Sequence, residues 1–233
     1  MADYFLSDVH LRLDRPDRGA RLATLVDRLA SDDSLTIVGD LCDFWFAARQ
    51  RNADPMTCLG LKALAEFRDR GGTITILAGN HDTWLGPFYE RTLGAKFLPD
   101  GLERDLGGMR TLIVHGHRLG ARTTWKAGME SRAFLAAFRR LPDFVADRLG
   151  ALLQRTNERN QDAFDRRGLE VYRKSIEEVG DRYDLMILGH VHRPLDTSDT
   201  IRPRLVVLGG WHSGSAYLVF DGSGTGRHVV EGA

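Results

Sequence analysis

Cysteine is scarce in this chain of 233 residues: Cys42 and Cys58 are the only two. Two are too few for a disulfide framework and sit wrongly for a thiolate zinc site, which points to a reducing compartment. Long apolar runs are missing as well. None approaches the ~18 residues that a membrane-spanning helix needs, and Met1 leads directly into a short strand-like stretch without the basic and apolar regions of a signal peptide. The expectation is a cytoplasmic protein whose contact with a membrane, if it makes one, is peripheral and on the inner face. An excess of either charge is also lacking, since 32 Lys+Arg balance 32 Asp+Glu. The basic footprint of a nucleic-acid binder is therefore absent, and no nucleic-acid partner is expected.

What the chain does have is a globular balance of 42% hydrophobic and 27% charged residues, in a length that can bury a substantial core. Short apolar runs alternate with helix-period segments. Tyr4 to Leu6, Leu35 to Val38, Ile74 to Ala78 and Thr111 to Val114 read as strands, and Gly107-Gly108 as a hairpin turn. Ala20 to Ala30 and Leu59 to Arg70 read as amphipathic helices, the second closed by Gly71-Gly72. From Thr123 to Gly180 helical periodicity persists without a strand-like run, punctuated by Pro142 and Gly150. Strand signals resume at Leu185 to Leu188, Arg204 to Leu208, Tyr217 to Phe220 and His228 to Val230, with a turn at Asp221-Gly222. This pattern predicts a layered α/β fold in one domain, residues 1–233, with a helical insertion at 121–180.

Five short polar motifs each follow a strand: Ser7-Asp8-Val9-His10, Gly39-Asp40-Leu41-Cys42-Asp43, Gly79-Asn80-His81-Asp82, His115-Gly116-His117 and Gly189-His190-Val191-His192. In layered α/β folds the carboxyl ends of strands converge on one crevice. Carboxylate, imidazole and carboxamide are ligands for divalent metals, and a carboxylate can bridge two ions where an imidazole nitrogen cannot. A lone histidine is more often a surface or core residue than a ligand; several in register with carboxylates are not so easily dismissed. Cys42 reads as a small buried hydrophobe beside the site. His117 reads equally as a substrate contact or as nothing, and His212 as a residue that lines the crevice or packs outside it.

In this order D-x-H, G-D-x-x-D, G-N-H-D, H and G-H-x-H resemble the calcineurin-like metallophosphoesterases, over Asp8 to His192. The resemblance implies a sandwich of two β-sheets flanked by helices, and a helical cap at 121–180. It implies two divalent ions, manganese first, with iron or zinc as alternatives. One ion falls on Asp8, His10, Asp40 and His192, the other on Asp40, Asn80, His115 and His190, so that Asp40 is shared. Two ions ~3.5–4 Å apart can activate water and polarise a phosphoryl group. His81 then faces the substrate, to stabilise or protonate the leaving oxygen, and Asp43 orients it. For Asp82, bonding within its own loop is an equally good account.

Within that superfamily the likeness is to bacterial UDP-2,3-diacylglucosamine hydrolases of lipid A synthesis. It is carried by Ser7-Asp8-Val9-His10-Leu11, by Phe44-Trp45 after the second motif, by Arg193-Pro194 after the last one, and by Leu208-Gly209-Gly210-Trp211-His212. The implied substrate is nucleotide-linked and lipid-bearing, cleaved at its pyrophosphate to UMP and a lipid monophosphate. The cap fits such a substrate. Between Ala121 and Arg155 seven basic residues face three acidic ones, and Phe134, Leu135, Phe138 and Leu141 recur at helical spacing. An apolar stripe flanked by arginines can hold acyl chains or rest on anionic headgroups, or it can pack the cap onto the core. Candidate substrate contacts are Trp45, His117, Arg122, Phe134 and Phe138. His81 stands where the best-known branch of those hydrolases has arginine. A broader phosphoesterase, acting on phosphodiesters or other nucleotide pyrophosphates, stays open, as does a non-catalytic metal-binding scaffold.

Overall fold

The computed structural model describes residues 1–43, 52–120, 137–138, 140–197, 202–221 and 226–232. The first sheet is built on parallel strands β1 (Asp3–Leu6), β2 (Ser34–Val38), β3 (Thr73–Leu77) and β4 (Lys96–Leu98). Antiparallel β10 (Ser215–Phe220) and β11 (Gly226–Glu231) extend it in the order β11-β10-β1-β2-β3-β4. The second sheet has parallel β6 (Met109–Val114), β7 (Leu185–Leu188) and β9 (Arg204–Val207). Antiparallel β5 (Leu102–Leu106) and β8 (Leu195–Asp196) close its two edges.

Period-two alternation splits the central strands between two cores. Phe5, Val38 and Leu77 from the first sheet meet Ile113, Leu185, Ile187 and Val206 from the second, so the sheets pack face to face. On the outer face of the first sheet, Leu6, Ile37 and Ile76 pack under α1 (Pro16–Val26), α2 (Leu59–Asp69) and α3 (Gly86–Leu93). On the outer face of the second, Met186, Leu188, Leu205 and Val207 meet Tyr172 and Ile176 of α4 (Asp143–Val179). All four side chains of β7 are buried for this reason: each of its faces is covered. The expected sandwich of two sheets flanked by helices is what forms.

Some local expectations shift. The first helix starts at Pro16 and ends at Val26, four residues ahead of the span predicted from Ala20 to Ala30. Proline at a helix start costs no hydrogen bond and is preset for the turn, and the apolar periodicity carries on past the helix end to Leu29, which is buried without being helical. Gly150 does not interrupt its helix, because a cost of ~1 kcal/mol against alanine is small beside a run of 37 residues. Strand β5 was hidden by its charged residues: Glu103 and Asp105 point outward from an edge strand.

Candidate metal centre

Six parallel strands, three from each sheet, end at the same side of the sandwich, and each continues directly into one of the polar motifs or into the Gly209-Gly210-Trp211-His212 segment. Backbone hydrogen bonds tie these turns together: Asp8 N–H to Gly39 O, His10 N–H to Asp40 O, Gly189 N–H to His115 O and Trp211 N–H to Asp8 O. Asp8, His10, Asp40 and His190 adopt φ between 52° and 65°, the only non-glycine residues among those described with positive φ. Left-handed backbone costs ~1–3 kcal/mol per residue and persists only where the surroundings enforce it. Here it turns four side chains inward from their strand ends.

Asp8 Oδ2 accepts the His190 N–H at 2.8 Å, while its buried Oδ1 has no hydrogen bond. That oxygen lies 3.8 Å from His10 Nε2 and 3.6 Å from His192 Nε2, and the two imidazole nitrogens are 3.2 Å apart. An orphaned buried carboxylate oxygen is costly, and a cation held between these three atoms would satisfy it. The donor set, two imidazoles and a carboxylate, suits a divalent transition metal.

The second cluster is built on Asp40, which also approaches His10 of the first. Asp40 Oδ1 accepts the His81 N–H at 2.8 Å, and Oδ2 stands 3.3 Å from His115 Nε2 and 3.9 Å from His10 Nε2. His115 Nδ1 is 2.7 Å from the Val38 carbonyl, which can only accept, so the proton is on Nδ1 and Nε2 is turned to Asp40 and to Asn80 Oδ1, 3.3 Å away. Candidate ligand atoms of Asp40, His115 and His190 all lie within 4.8 Å of one another, as do those of Asp8, His10 and His192; His10, Asp40 and His81 form an overlapping third group. Gly79 makes room for this. A Cβ there would stand 2.0 Å from Asp40 Oδ1.

Burial alone would raise the carboxyls of Asp8 and Asp40, but His115, joined by His192 beside Asp8 and by His81 beside Asp40, outweighs it and holds both below the usual range. Burial likewise opposes a charge on His115, yet Asp40 and Asp8 push it up to about 9. Carboxylates that hold a proton on an imidazole favour a divalent cation in its place. Burial and the neighbouring His115 push His190 far down, leaving it neutral as a ligand must be.

His81 Nδ1 is 2.7 Å from Asp43 Oδ1. Burial works against a charged ring, but Asp40 and Asp43 raise His81 to about 10. Asp82 is wholly buried and accepts from Gly79 N–H, Leu41 N–H, Asp40 N–H and the Tyr89 hydroxyl. Its part is loop bonding, fastening the turn after β2 to the turn after β3. Cys42 is fully buried and its thiol is pushed well up by that burial, an inert side chain.

The half-buried His117 ring stands 5.2 Å from His115 and 6.2 Å from His190. His212 lies against the first cluster, its ring 4.5 Å from His192 and 5.6 Å from His10. Phe138 is buried, with 3% of its surface exposed. Trp45, Arg122 and Phe134 lie outside the described residues. Three neighbours of the centre escaped sequence reasoning. The buried Arg18 donates to the His10 carbonyl at 3.1 Å, Asp165 of α4 accepts the His192 N–H at 3.1 Å, and Tyr172 donates to the Gly189 carbonyl at 2.7 Å. Asp165 precedes Tyr172 and Ile176 by seven and eleven residues, on the buried stripe of the helix.

The family model for calcineurin-like phosphoesterases matches residues 4–194. A UDP-2,3-diacylglucosamine hydrolase of Vibrio cholerae serotype O1 is 29% identical over 235 residues, covering 95% of each chain. One from Aeromonas salmonicida is 30% identical over 234 residues, covering 94% of this chain and 89% of that one. Among solved structures, a dimetal phosphatase from Danio rerio aligns with a TM-score of 0.50 at 12% identity, covering 100% of this chain and 96% of the other, a likeness of fold.

Proposed function

The chain belongs to the calcineurin-like phosphoesterases, and from that premise we propose that it is a dinuclear metal-dependent hydrolase that cleaves the pyrophosphate of a UDP-linked, acylated sugar. The products would be UMP and a lipid monophosphate. One observation carries the dinuclear part: Asp40 Oδ2 stands between His115 Nε2 and His10 Nε2, each of which belongs to a different ligand cluster.

Asp8, His10, Asp40 and His192 would hold one ion; Asp40, Asn80, His115 and His190 would hold the other. Such a pair, when bound, activates water and neutralises charge on a phosphoryl group. Manganese is the ion to test first, with iron and zinc as alternatives. The chain's own part lies beside it. Asp43 takes the hydrogen bond from His81 Nδ1 and fixes the ring. Held in this way, the ring would face the substrate to stabilise or protonate the leaving oxygen, a role worth ~10²–10⁴ in rate.

The substrate class rests on the relatives' printed activity and on the cap, taken as residues 121–180 of a single domain. On α4, Phe144 is 69% and Leu152 61% exposed. Eight residues apart, with Arg148 between them, they share a helix face suited to acyl chains or to the inner surface of an anionic membrane. Trp45, His117, Arg122 and Phe134 are the proposed substrate contacts, and the buried Phe138 is assigned to packing of the cap. Among the described residues no helix is long and apolar enough to cross a membrane.

The test is UMP release by manganese-loaded protein from UDP-2,3-diacylglucosamine and from its deacylated analogue. Strong preference for the acylated compound supports the assignment. Equal turnover of both favours the second reading, a broader nucleotide pyrophosphatase or phosphodiesterase, for which His81 in its G-N-H-D motif speaks.

A further inference from the structure

Helix α4 touches every residue of the last ligand motif. The Phe164 ring meets the His190 ring edge-on at 5.0 Å. Asp165 Oδ1 accepts the His192 N–H, and the Tyr172 hydroxyl donates to the Gly189 carbonyl. At Gly168 the helix backbone comes so close that a Cβ would stand 2.4 Å from Val191 Cγ2. Residues 164, 165, 168 and 172 share one face at helical spacing, and Asp165 and Tyr172 are both buried.

The turn has need of such support. His190 is held at φ 65°, and its own N–H is taken by Asp8 from the other sheet. Asp165 fixes the backbone at His192, and Tyr172 fixes it one residue before His190. The two side chains thus act on the two histidines assigned above to different ions.

We propose that α4 is a working part of the metal centre, with Asp165 and Tyr172 as positioning residues that set His192 and His190 for their ions, so that ion binding and the docking of this helix onto the turn are coupled. The proposal rests on the two-ion reading. It gives the cap a physical line to the chemistry, because the same unbroken helix carries Phe144, about 30 Å from Asp165 at 1.5 Å per residue. A substrate or surface that holds the helix in its docked position would favour ion binding, and the ions would favour the docked helix in return.

The experiment is a manganese titration of the metal-stripped full chain, by equilibrium dialysis, for the wild type, Asp165→Ala, Asp165→Asn and Tyr172→Phe, with the melting temperature of each stripped protein. The loss expected for Asp165→Ala is ~10- to 100-fold in affinity, the usual effect of removing a group that orients a ligand. Tyr172→Phe should lose affinity as well. Asp165→Asn, whose carboxamide oxygen can still accept the His192 N–H, should remain close to the wild type. Unchanged manganese affinity in Asp165→Ala and Tyr172→Phe, with any defect confined to the melting of the stripped proteins, would overturn the proposal and leave a helix that merely packs. Failure of the two-ion reading would show instead in the wild type, as fewer than two manganese ions bound per chain, and would take the proposal with it.

Discussion

Asp43 Oδ1 sits 2.7 Å from His81 Nδ1 and 3.9 Å from His10 Nδ1, one carboxylate serving two imidazoles that stand edge to face at 4.9 Å. The nearer contact is a hydrogen bond and the farther one is not. Asp43 therefore orients His81 first, and stands close to the first cluster without being one of its ligands.

From this relationship His81→Ala should retain its metal content and lose ~10²–10⁴ in turnover, the range for a removed general acid. Asp43→Asn should show a smaller loss of the same kind, because an amide still meets the ring but supports its charge less well. Metal analysis by plasma emission beside initial rates on a chromogenic phosphodiester checks both. Loss of metal from His81→Ala would make this ring a ligand, in the overlapping group with His10 and Asp40.

Gly79→Ala should damage the centre from outside the ligand set. Its Cβ would stand 2.0 Å from Asp40 Oδ1 and 2.4 Å from the Asp40 backbone nitrogen, so the Asp40 carboxylate must move. Overpacking of this kind costs about 1–3 kcal/mol, and the thermal midpoint and bound manganese should fall together. A variant with wild-type manganese content would mean that Asp40 can shift without loss.

The cap separates packing from substrate contact. Phe138 is buried, so Phe138→Ser should destabilise the protein by several kcal/mol, as large-to-small core substitutions do, and lower activity on every substrate. Phe144 and Leu152 are exposed, and replacing both with serine should leave melting within ~0.5 kcal/mol of wild type per site. The pair should nevertheless impair hydrolysis of an acylated UDP-sugar while sparing a small phosphodiester, since each apolar side chain covered by an acyl chain contributes ~1.5–3 kcal/mol. Unchanged kinetics on the acylated substrate would exclude this face from lipid contact.

That these side chains would come together was readable in the sequence because they follow strand ends, where a short apolar run stops and a polar tripeptide begins. Asp8, Asp40, His115 and His190 each stand one or two residues beyond a strand. The two-sheet architecture itself came with the family resemblance; alternation alone gave only strands and helices in layers. What supports the ligands from a distance was not readable. Arg18 has the look of a solvated charge on a helix, and only the tertiary fold brings its guanidinium to the His10 carbonyl. Asp165 stands in a charge-rich helix where one buried carboxylate is lost among exposed ones. Strand β8, two residues long, is defined only by its partner β9.

The proposed sharing of Asp40 between two ions is tested most directly by adding manganese to chelator-stripped protein while bound ion and phosphodiester hydrolysis are followed together, for wild type and for Asp40→Asn. With Asp40 between two clusters, wild-type activity should be absent without metal and should rise to saturation at two ions per chain. Asp40→Asn should bind both ions weakly and stay inactive under manganese, iron or zinc. Full activity in the stripped protein, saturation at a single ion, or an Asp40→Asn protein with wild-type content and rate would contradict a centre built on that residue.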